Sequence, residues 1–175
     1  TEIEQGWHQN ILLGLLSGTV KEIVFGQSVD VNSNFLGLGW EEYTKLATAK
    51  TSPLICLPII GMFKCAELEE PYYINLRKLT DDLGLAYQIV NDLENILINE
   101  SNEIPTDIKF ERVNALIVCL KEISSEKEIN FLKKNKSELK QYLLSSNMAG
   151  DLILKIDNIL QSIKNSIHLM PVVIR

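Results

Sequence analysis

Oxygen-bearing side chains recur at helical spacing near the middle of the chain. Gln88, Asn91, Asp92, Asn95 and Asn99 fall within one stripe about 100° wide on a helical wheel. Mg²⁺ binds carboxylate and carbonyl oxygens and commonly shares its shell with substrate phosphates. Asp92, spaced three from Asn95 and four from Gln88, is therefore a candidate metal ligand. The alternative is an exposed polar face, although such faces are ordinarily built from lysine and glutamate.

Two smaller polar groups could complete an anion site. Lys50 and Thr51 precede an apolar run that contains proline, where the ammonium group could face a phosphate and the hydroxyl could donate a further bond. Gln27 and Asp30 are again three residues apart, at the end of a predicted helix. The plain alternatives are a surface lysine for the first pair and a helix cap with a turn for the second.

The first element that must position these groups is a helix between His8 and Ser28. Its apolar residues recur every three or four positions, which predicts one buried face. Gly26 and Gln27 are expected to close this helix. The next segment, Val29 to Gly39, is short, polar and contains glycine, so it predicts a connection.

A second helix is predicted to begin at Trp40, because acidic residues follow in its first turn, where the helix dipole favours them. It should run through Lys50. Pro53 and Pro58 should each remove a backbone hydrogen bond and bend the helix, although tertiary packing could keep its direction nearly continuous.

The third predicted helix starts at Pro71, a residue well suited to the first helical turn, and its apolar spacing continues to Leu97. A loop follows around Ser101 to Pro105. Further stretches with helical period are Val113 to Ile123, Ile129 to Leu144 and Leu152 to Ile167, and Pro171 should end the last helix. Because nothing alternates with period two over a useful length, an all-α bundle is predicted.

Composition limits the possible functions of the chain. Its 175 residues, 46% of them hydrophobic, suit one domain, and 23 acidic against 17 basic residues give a net charge of −6. This charge disfavours a nucleic-acid partner. No apolar run reaches the roughly 20 residues of a membrane span, so we expect a cytoplasmic protein. The cysteines do not form a metal or disulfide pattern and are expected to be reduced core residues: Cys56, Cys65 and Cys119.

The order of these motifs resembles that of the trans-isoprenyl diphosphate synthases, from the central helices of that family to its C-terminus. Gly26-Gln27 with Asp30 looks like the family's GQ-x-x-D element, and Lys50-Thr51 looks like its KT element. Tyr87-Gln88 followed by Asn91 to Asn95 looks like its FQ and second DDxxD elements. The segment from Asp107 to Leu116, with Arg112 and Asn114, is weakly similar to the family's downstream segment.

The resemblance implies a helical bundle of the class I isoprenoid synthase type and Mg²⁺ as cofactor. It implies condensation of an allylic prenyl diphosphate with isopentenyl diphosphate. The residues implied as catalytic are Lys50, Thr51 and Gln88. Those implied in substrate binding are Gln27, Lys50, Tyr87 and Gln88, and those implied as metal ligands are Asp92, Asn91 and Asn95.

Two departures from the family pattern favour a chain that is incomplete for catalysis. Asn91 and Asn95 stand where the family has aspartates, and the family's first DDxxD lies before the position of Thr1. Asp81-Asp82 begins DDLGL, which lacks the third aspartate. We therefore expect that the isolated chain does not condense prenyl diphosphates, and the opening threonine favours a fragment.

Two other functions remain open at this stage. One is prenyl transfer to a peptide side chain, as in the pheromone-modifying relatives, and the other is a non-catalytic subunit of a synthase. The resemblance also implies a partner, which is either a second copy bound through the helix near Ile11 to Val24 or a separate N-terminal half.

Overall fold

Eight α-helices and no strand make up the part of the chain that the computed structural model describes, namely residues 2–32, 37–67, 70–97 and 103–169. The predicted all-α architecture is confirmed. The helices are α1 (Glu2–Asn32), α2 (Trp40–Cys65), α3 (Glu70–Leu97), α4 (Thr106–Lys109), α5 (Ala115–Ile123), α6 (Glu126–Lys134), α7 (Lys136–Ser145) and α8 (Met148–His168).

The central layer of the bundle is α2, which packs against α1 on one side and α3 on the other, while α8 covers α3. By length and composition α2 could cross a membrane, and 39% of its most apolar window is buried within the bundle. The main core lies where α2, α3, α5, α7 and α8 meet. Helix α5 is buried on all sides at its start, from Ala115 to Leu120.

Helix α1 does not close at Gly26 and Gln27 as predicted but continues to Asn32. Gly26 is buried inside the helix, and a Cβ atom there would lie 3.0 Å from the carbonyl carbon of Ala49 and 3.1 Å from its oxygen. The missing side chain therefore lets two helices approach closely and does not cap one of them. The alternative in which Gln27 and Asp30 form only a helix cap and a turn does not hold, because α1 continues through both residues.

Helix α2 is continuous through both Pro53 and Pro58, so the prolines do not divide it. Contacts with α1 and α3 on both sides hold its direction. Helix α3 begins at Glu70, one residue before the predicted start. Cys56 and Cys119 are buried and carry free thiols, as predicted, while Cys65 is half-buried and also free.

The predicted continuous segment from Ile129 to Leu144 is divided into α6 and α7 at Asn135. This residue has φ −117° and ψ 73°, and its backbone N–H bonds to the carbonyl oxygens of Phe131 and Leu132. Its side chain also donates to the carbonyl oxygen of Phe131 at 3.1 Å, so asparagine competes with the helical bonding pattern. Asn99, Ser101 and Pro171, which carried three of the predictions, lie outside the described residues.

Candidate functional site

Asp92 is the best connected of the predicted site residues. Its side chain projects from α3 into the bundle, and the residue is 3% exposed. Oδ2 accepts hydrogen bonds from the Tyr43 hydroxyl and from the backbone N–H of Ala115, both at 2.8 Å. Oδ1 accepts one from Nε2 of Gln88, also at 2.8 Å. One carboxylate therefore joins α3 to both α2 and α5.

Burial raises the pKa of the Asp92 carboxyl from its usual 3.8 to about 6, while the hydrogen bonds from Tyr43, Ala115 and Gln88 act in the opposite direction. Burial, and then the neighbouring Asp92 charge, raise the pKa of the Tyr43 phenol well above 10. The phenol therefore stays protonated at neutral pH and remains a hydrogen-bond donor to the carboxylate.

Asn114 connects this carboxylate to the segment between α4 and α5. Its Oδ1 accepts from the N–H of Leu116 at 3.0 Å and so caps α5. Its Nδ2 donates to the backbone oxygen of Asp92 at 3.0 Å and to Oδ2 of Asp107 at 2.9 Å. The start of α5 is therefore tied directly to α3.

Asp107 lies next to the polar stripe of α3 and is partly buried. Its N–H donates to Oδ1 of Asn95 at 3.2 Å, which occupies that amide oxygen. Burial raises the pKa of the Asp107 carboxyl, and the hydrogen bond from Asn114 and the charges of Arg112 and Lys50 oppose the shift. The side chain of Asn91, by contrast, makes no hydrogen bond to another described residue, so its amide oxygen is available to a ligand.

Lys50 is paired within the protein. Its Nζ lies 2.7 Å from Oδ2 of Asp30 on α1, and the two side chains are only 20% and 15% exposed. The Gly26 to Ala49 contact lies one turn before Asp30 and one residue before Lys50, so the two backbones are held close together at this point. The ion pair thus joins α1 to α2 at the edge of the polar stripe.

These groups line one cavity of about 440 Å³ between α1, α2, α3 and the segment that leads into α5. Six of the predicted site residues reach its wall: Gln27, Lys50, Gln88, Asn91, Asp92 and Asn95. Thr51 and Tyr87 do not line it. Tyr87 is 58% exposed.

The cavity also contains lining residues that the sequence did not assign to the site: Asp30, Val31, Asp107, Phe110, Glu111, Arg112 and Val113. Asp30 belongs to the GQ-x-x-D element, but the sequence assigned it no role in the site. The segment from Asp107 to Val113 carried the weak downstream similarity, which was the only available signal. Apart from Asp107, which lies in the short helix α4, its side chains reach the cavity from irregular backbone, where no periodicity indicates direction.

The donor set of the cavity suits a hard cation that also binds a ligand. Carboxyl and amide oxygens line it, and these are the groups that Mg²⁺ prefers. Within the described residues, no three acidic, histidine or cysteine side chains converge closely enough to hold a metal by themselves. The residues therefore fit Mg²⁺ that takes part of its shell from the oxygens of a bound phosphate or from water.

Comparison with known structures shows the same fold. A decaprenyl diphosphate synthase from Rhodobacter capsulatus superposes with a TM-score of 0.78 at 17% identity, over 92% of this chain and 54% of that one. A heptaprenyl diphosphate synthase from Staphylococcus aureus gives 0.75 at 14% identity, over 93% and 54%. A geranylgeranyl pyrophosphate synthase gives 0.72 at 20% identity, over 93% and 55%. The chain thus spans about half the length of these structures.

No curated protein shows a significant sequence match to the chain. The sequence profile described as polyprenyl synthetase, however, matches residues 4–145, which include α1 from its third residue, α2 to α7 and every lining residue of the cavity. The solved structures give the predicted class I isoprenoid synthase fold, and the profile gives the family. The chain belongs to the polyprenyl synthetase family.

Proposed function

We propose that the cavity binds the diphosphate group of an allylic prenyl diphosphate together with Mg²⁺, as one half of a site that condenses this substrate with isopentenyl diphosphate. The observation that carries the proposal is the convergence of Gln27, Lys50, Gln88 and the α3 stripe on one cavity. These residues come from three helices and match three separate motifs of the family. Because these residues lie on three different helices, a chance alignment on one helix face does not explain why they line the same cavity.

Each lining residue has a role that its geometry supports. Asn91 has an uncommitted amide oxygen for the metal, and Oδ1 of Asp92 accepts only one hydrogen bond and keeps a lone pair. Asn95 completes the stripe, although its oxygen also accepts from Asp107. Lys50 and Gln27 lie where the diphosphate would bind. When bound, Mg²⁺ would neutralise the charge that develops on the leaving diphosphate.

Gln88 lies between the carboxylate and the cavity. Because its Nε2 donates to Asp92, its Oε1 is left as an acceptor that can face positive charge on the reacting carbons of the substrate. Thr51, which is half-buried beside Lys50, and Tyr87 on the outer side of α3 would act on the substrate only from outside this cavity wall.

A binding measurement tests this function. We expect geranyl diphosphate to bind the chain in the presence of Mg²⁺, as followed by calorimetry. Asn91→Asp restores a carboxylate at the family position and should tighten the Mg²⁺-dependent binding by about ten-fold, since it adds a charged ligand. The same change at the exposed Asn158 of α8 is the matched control and should have little effect. Absence of binding in the wild-type chain, or equal effects of both substitutions, would contradict the proposal.

A non-catalytic subunit is the second candidate function. It is favoured by the commitment of both Asp92 oxygens and of Lys50 to partners within the chain. In that case, incubation of the isolated chain with geranyl diphosphate, isopentenyl diphosphate and Mg²⁺ should yield no elongated prenyl diphosphate, as judged by mass analysis. Lipid product from a preparation of this chain alone would show that it is complete. Product that forms only with an added peptide acceptor would favour transfer to a side chain.

A further inference from the structure

The charges around the cavity oppose binding of a free anion. Among the described residues, its wall carries four carboxyl side chains, Asp30, Asp92, Asp107 and Glu111, but only two cations, Lys50 and Arg112. Since the Lys50 charge is already neutralised by Asp30 at 2.7 Å, an approaching phosphate meets one available cation and an excess of negative charge.

Arg112 is that available cation. Its side chain is exposed, its guanidinium carbon lies 5.7 Å from the centre of the Phe110 ring, and within the described chain it forms no hydrogen bond or ion pair through its side chain. Its position is set by its backbone N–H, which donates to the carbonyl oxygen of Asp107 at 2.8 Å. A single exposed arginine binds a small anion weakly, because solvent screens the interaction.

The Asp30 to Lys50 pair differs from the other ion pairs of the described chain in its burial. Both partners are at most 20% exposed, whereas the other pairs each include a partner that is at least 41% exposed. Low exposure strengthens the interaction and shields it from salt. The close Gly26 to Ala49 contact also fixes the two backbones, so neither side chain can leave by moving its helix.

We propose that Asp30 is an internal competitor for Lys50: its carboxylate holds the lysine until a divalent cation binds the carboxylate and releases the ammonium group to a diphosphate. The inference rests on the proposed function and adds to it a role for Asp30. It makes metal and anion binding mutually dependent, because each favours the arrangement in which the ion pair is open. The cavity thereby selects a metal-complexed diphosphate over the free anion.

Inorganic pyrophosphate is the probe that tests this coupling, with and without Mg²⁺, by isothermal titration calorimetry. Asp30→Asn keeps the shape of the side chain but releases the charge of Lys50. Without metal, it should tighten pyrophosphate binding by about ten-fold, the size of one charge-assisted hydrogen bond. It should also reduce the gain in affinity that Mg²⁺ gives.

Glu111→Gln is the matched control, because it removes the same charge from the same cavity while Glu111 pairs with Lys136 and not with Lys50. It should tighten metal-free binding far less than Asp30→Asn, because it changes only the overall charge of the cavity and frees no lysine that lines it. The double variant Asp30→Asn with Lys50→Gln should lose the increase in metal-free pyrophosphate affinity, which would show that the increase depends on Lys50. If thermal unfolding shows that Asp30→Asn is not folded, Asp30→Ser replaces it.

The outcomes separate the two proposals. If wild-type chain binds pyrophosphate with Mg²⁺ but Asp30→Asn brings no metal-free gain, the competitor role is wrong and the proposed function stands. Equal gains in Asp30→Asn and Glu111→Gln would also overturn it, because they would show only a general charge effect. If none of the chains binds pyrophosphate under any condition, the proposed function fails and the competitor role fails with it.

Discussion

Tyr43 and Asp92 are 49 positions apart in the chain and meet in the core, where the phenol donates a 2.8 Å hydrogen bond to the carboxylate. Tyr43 is 2% exposed and Asp92 is 3% exposed. A buried carboxylate is unfavourable unless it accepts hydrogen bonds, so the groups that donate to Asp92 determine whether the fold can accommodate its charge. The polar stripe of α3 is thus anchored from inside the bundle.

Tyr43→Phe should remove this donor and leave the ring in place. We expect a loss of about 2 kcal/mol in the free energy of unfolding, since a buried charged acceptor loses one of its hydrogen bonds. Urea unfolding followed by circular dichroism measures it. Tyr142→Phe is the control, because Tyr142 is 39% exposed and should change stability by less than about 0.5 kcal/mol. Equal losses in both variants would show that the Asp92 contact contributes nothing.

Asp92 also predicts a pH dependence. Its folded pKa of about 6 lies above its usual 3.8, so its contribution is fully present below pH 3.8 and is lost as pH rises through 6. This loss amounts to about 3 kcal/mol by pH 7. Asp92→Asn does not titrate, so its stability relative to wild type should increase between pH 4 and pH 7 in urea unfolding. A difference that stays constant over this range would contradict the shifted pKa.

Gly26→Ala tests the close contact of α1 with α2. The new Cβ would lie 3.0 Å from the carbonyl carbon of Ala49, so the helices must separate, at a cost of about 1–3 kcal/mol. Gly18→Ala on the same helix meets nothing within 4 Å and should stabilise the protein by up to about 1 kcal/mol through helix propensity. Thermal unfolding gives both values. Similar effects of the two substitutions would show that the contact is not tight.

The exposed face of α1 predicts a partner. Leu13, Leu16, Val20 and Val24 follow helical spacing and are 62%, 47%, 48% and 62% exposed. We expect a second copy to cover this face, and Leu13→Lys to shift the chain toward monomer in light scattering after gel filtration.

Leu154→Lys on α8 is the matched control for this experiment, because Leu154 is also 62% exposed but lies on a different helix. It should leave the mass unchanged. A wild-type chain that is monomeric at high concentration would contradict self-association through α1.

The polar stripe of α3 was predictable because helical spacing alone places Gln88, Asn91, Asp92 and Asn95 on one face. What the stripe contacts was not predictable, since the pairing of Asp92 with Tyr43 depends on how α2 packs against α3. The prediction that α1 ends at Gly26 and Gln27 was wrong because the role of Gly26 also depends on how two helices pack. A glycine at position 26 has the same local preferences whether it ends a helix or permits a close contact, and only the position of Ala49 distinguishes the two.

The roles of Asp107, Arg112 and Asn114 in the cavity were visible only as a weak similarity. These residues lie in or beside the irregular segment between α4 and α5, where side-chain direction follows from individual backbone angles. Periodicity gives no information there. Their contacts with α3 depend on the fold as a whole, so the sequence could indicate the segment but not its geometry.

Asn114 links the start of α5 directly to two residues of the cavity wall. The same side chain that starts α5 holds the backbone of Asp92 and the carboxylate of Asp107. Fraying of the first turn of α5 would therefore release two walls of the cavity at once. Amide protons there should exchange with solvent more slowly when the cavity is filled, so that ligand binding is reported by α5, a helix that contributes no lining residue of its own to the described cavity.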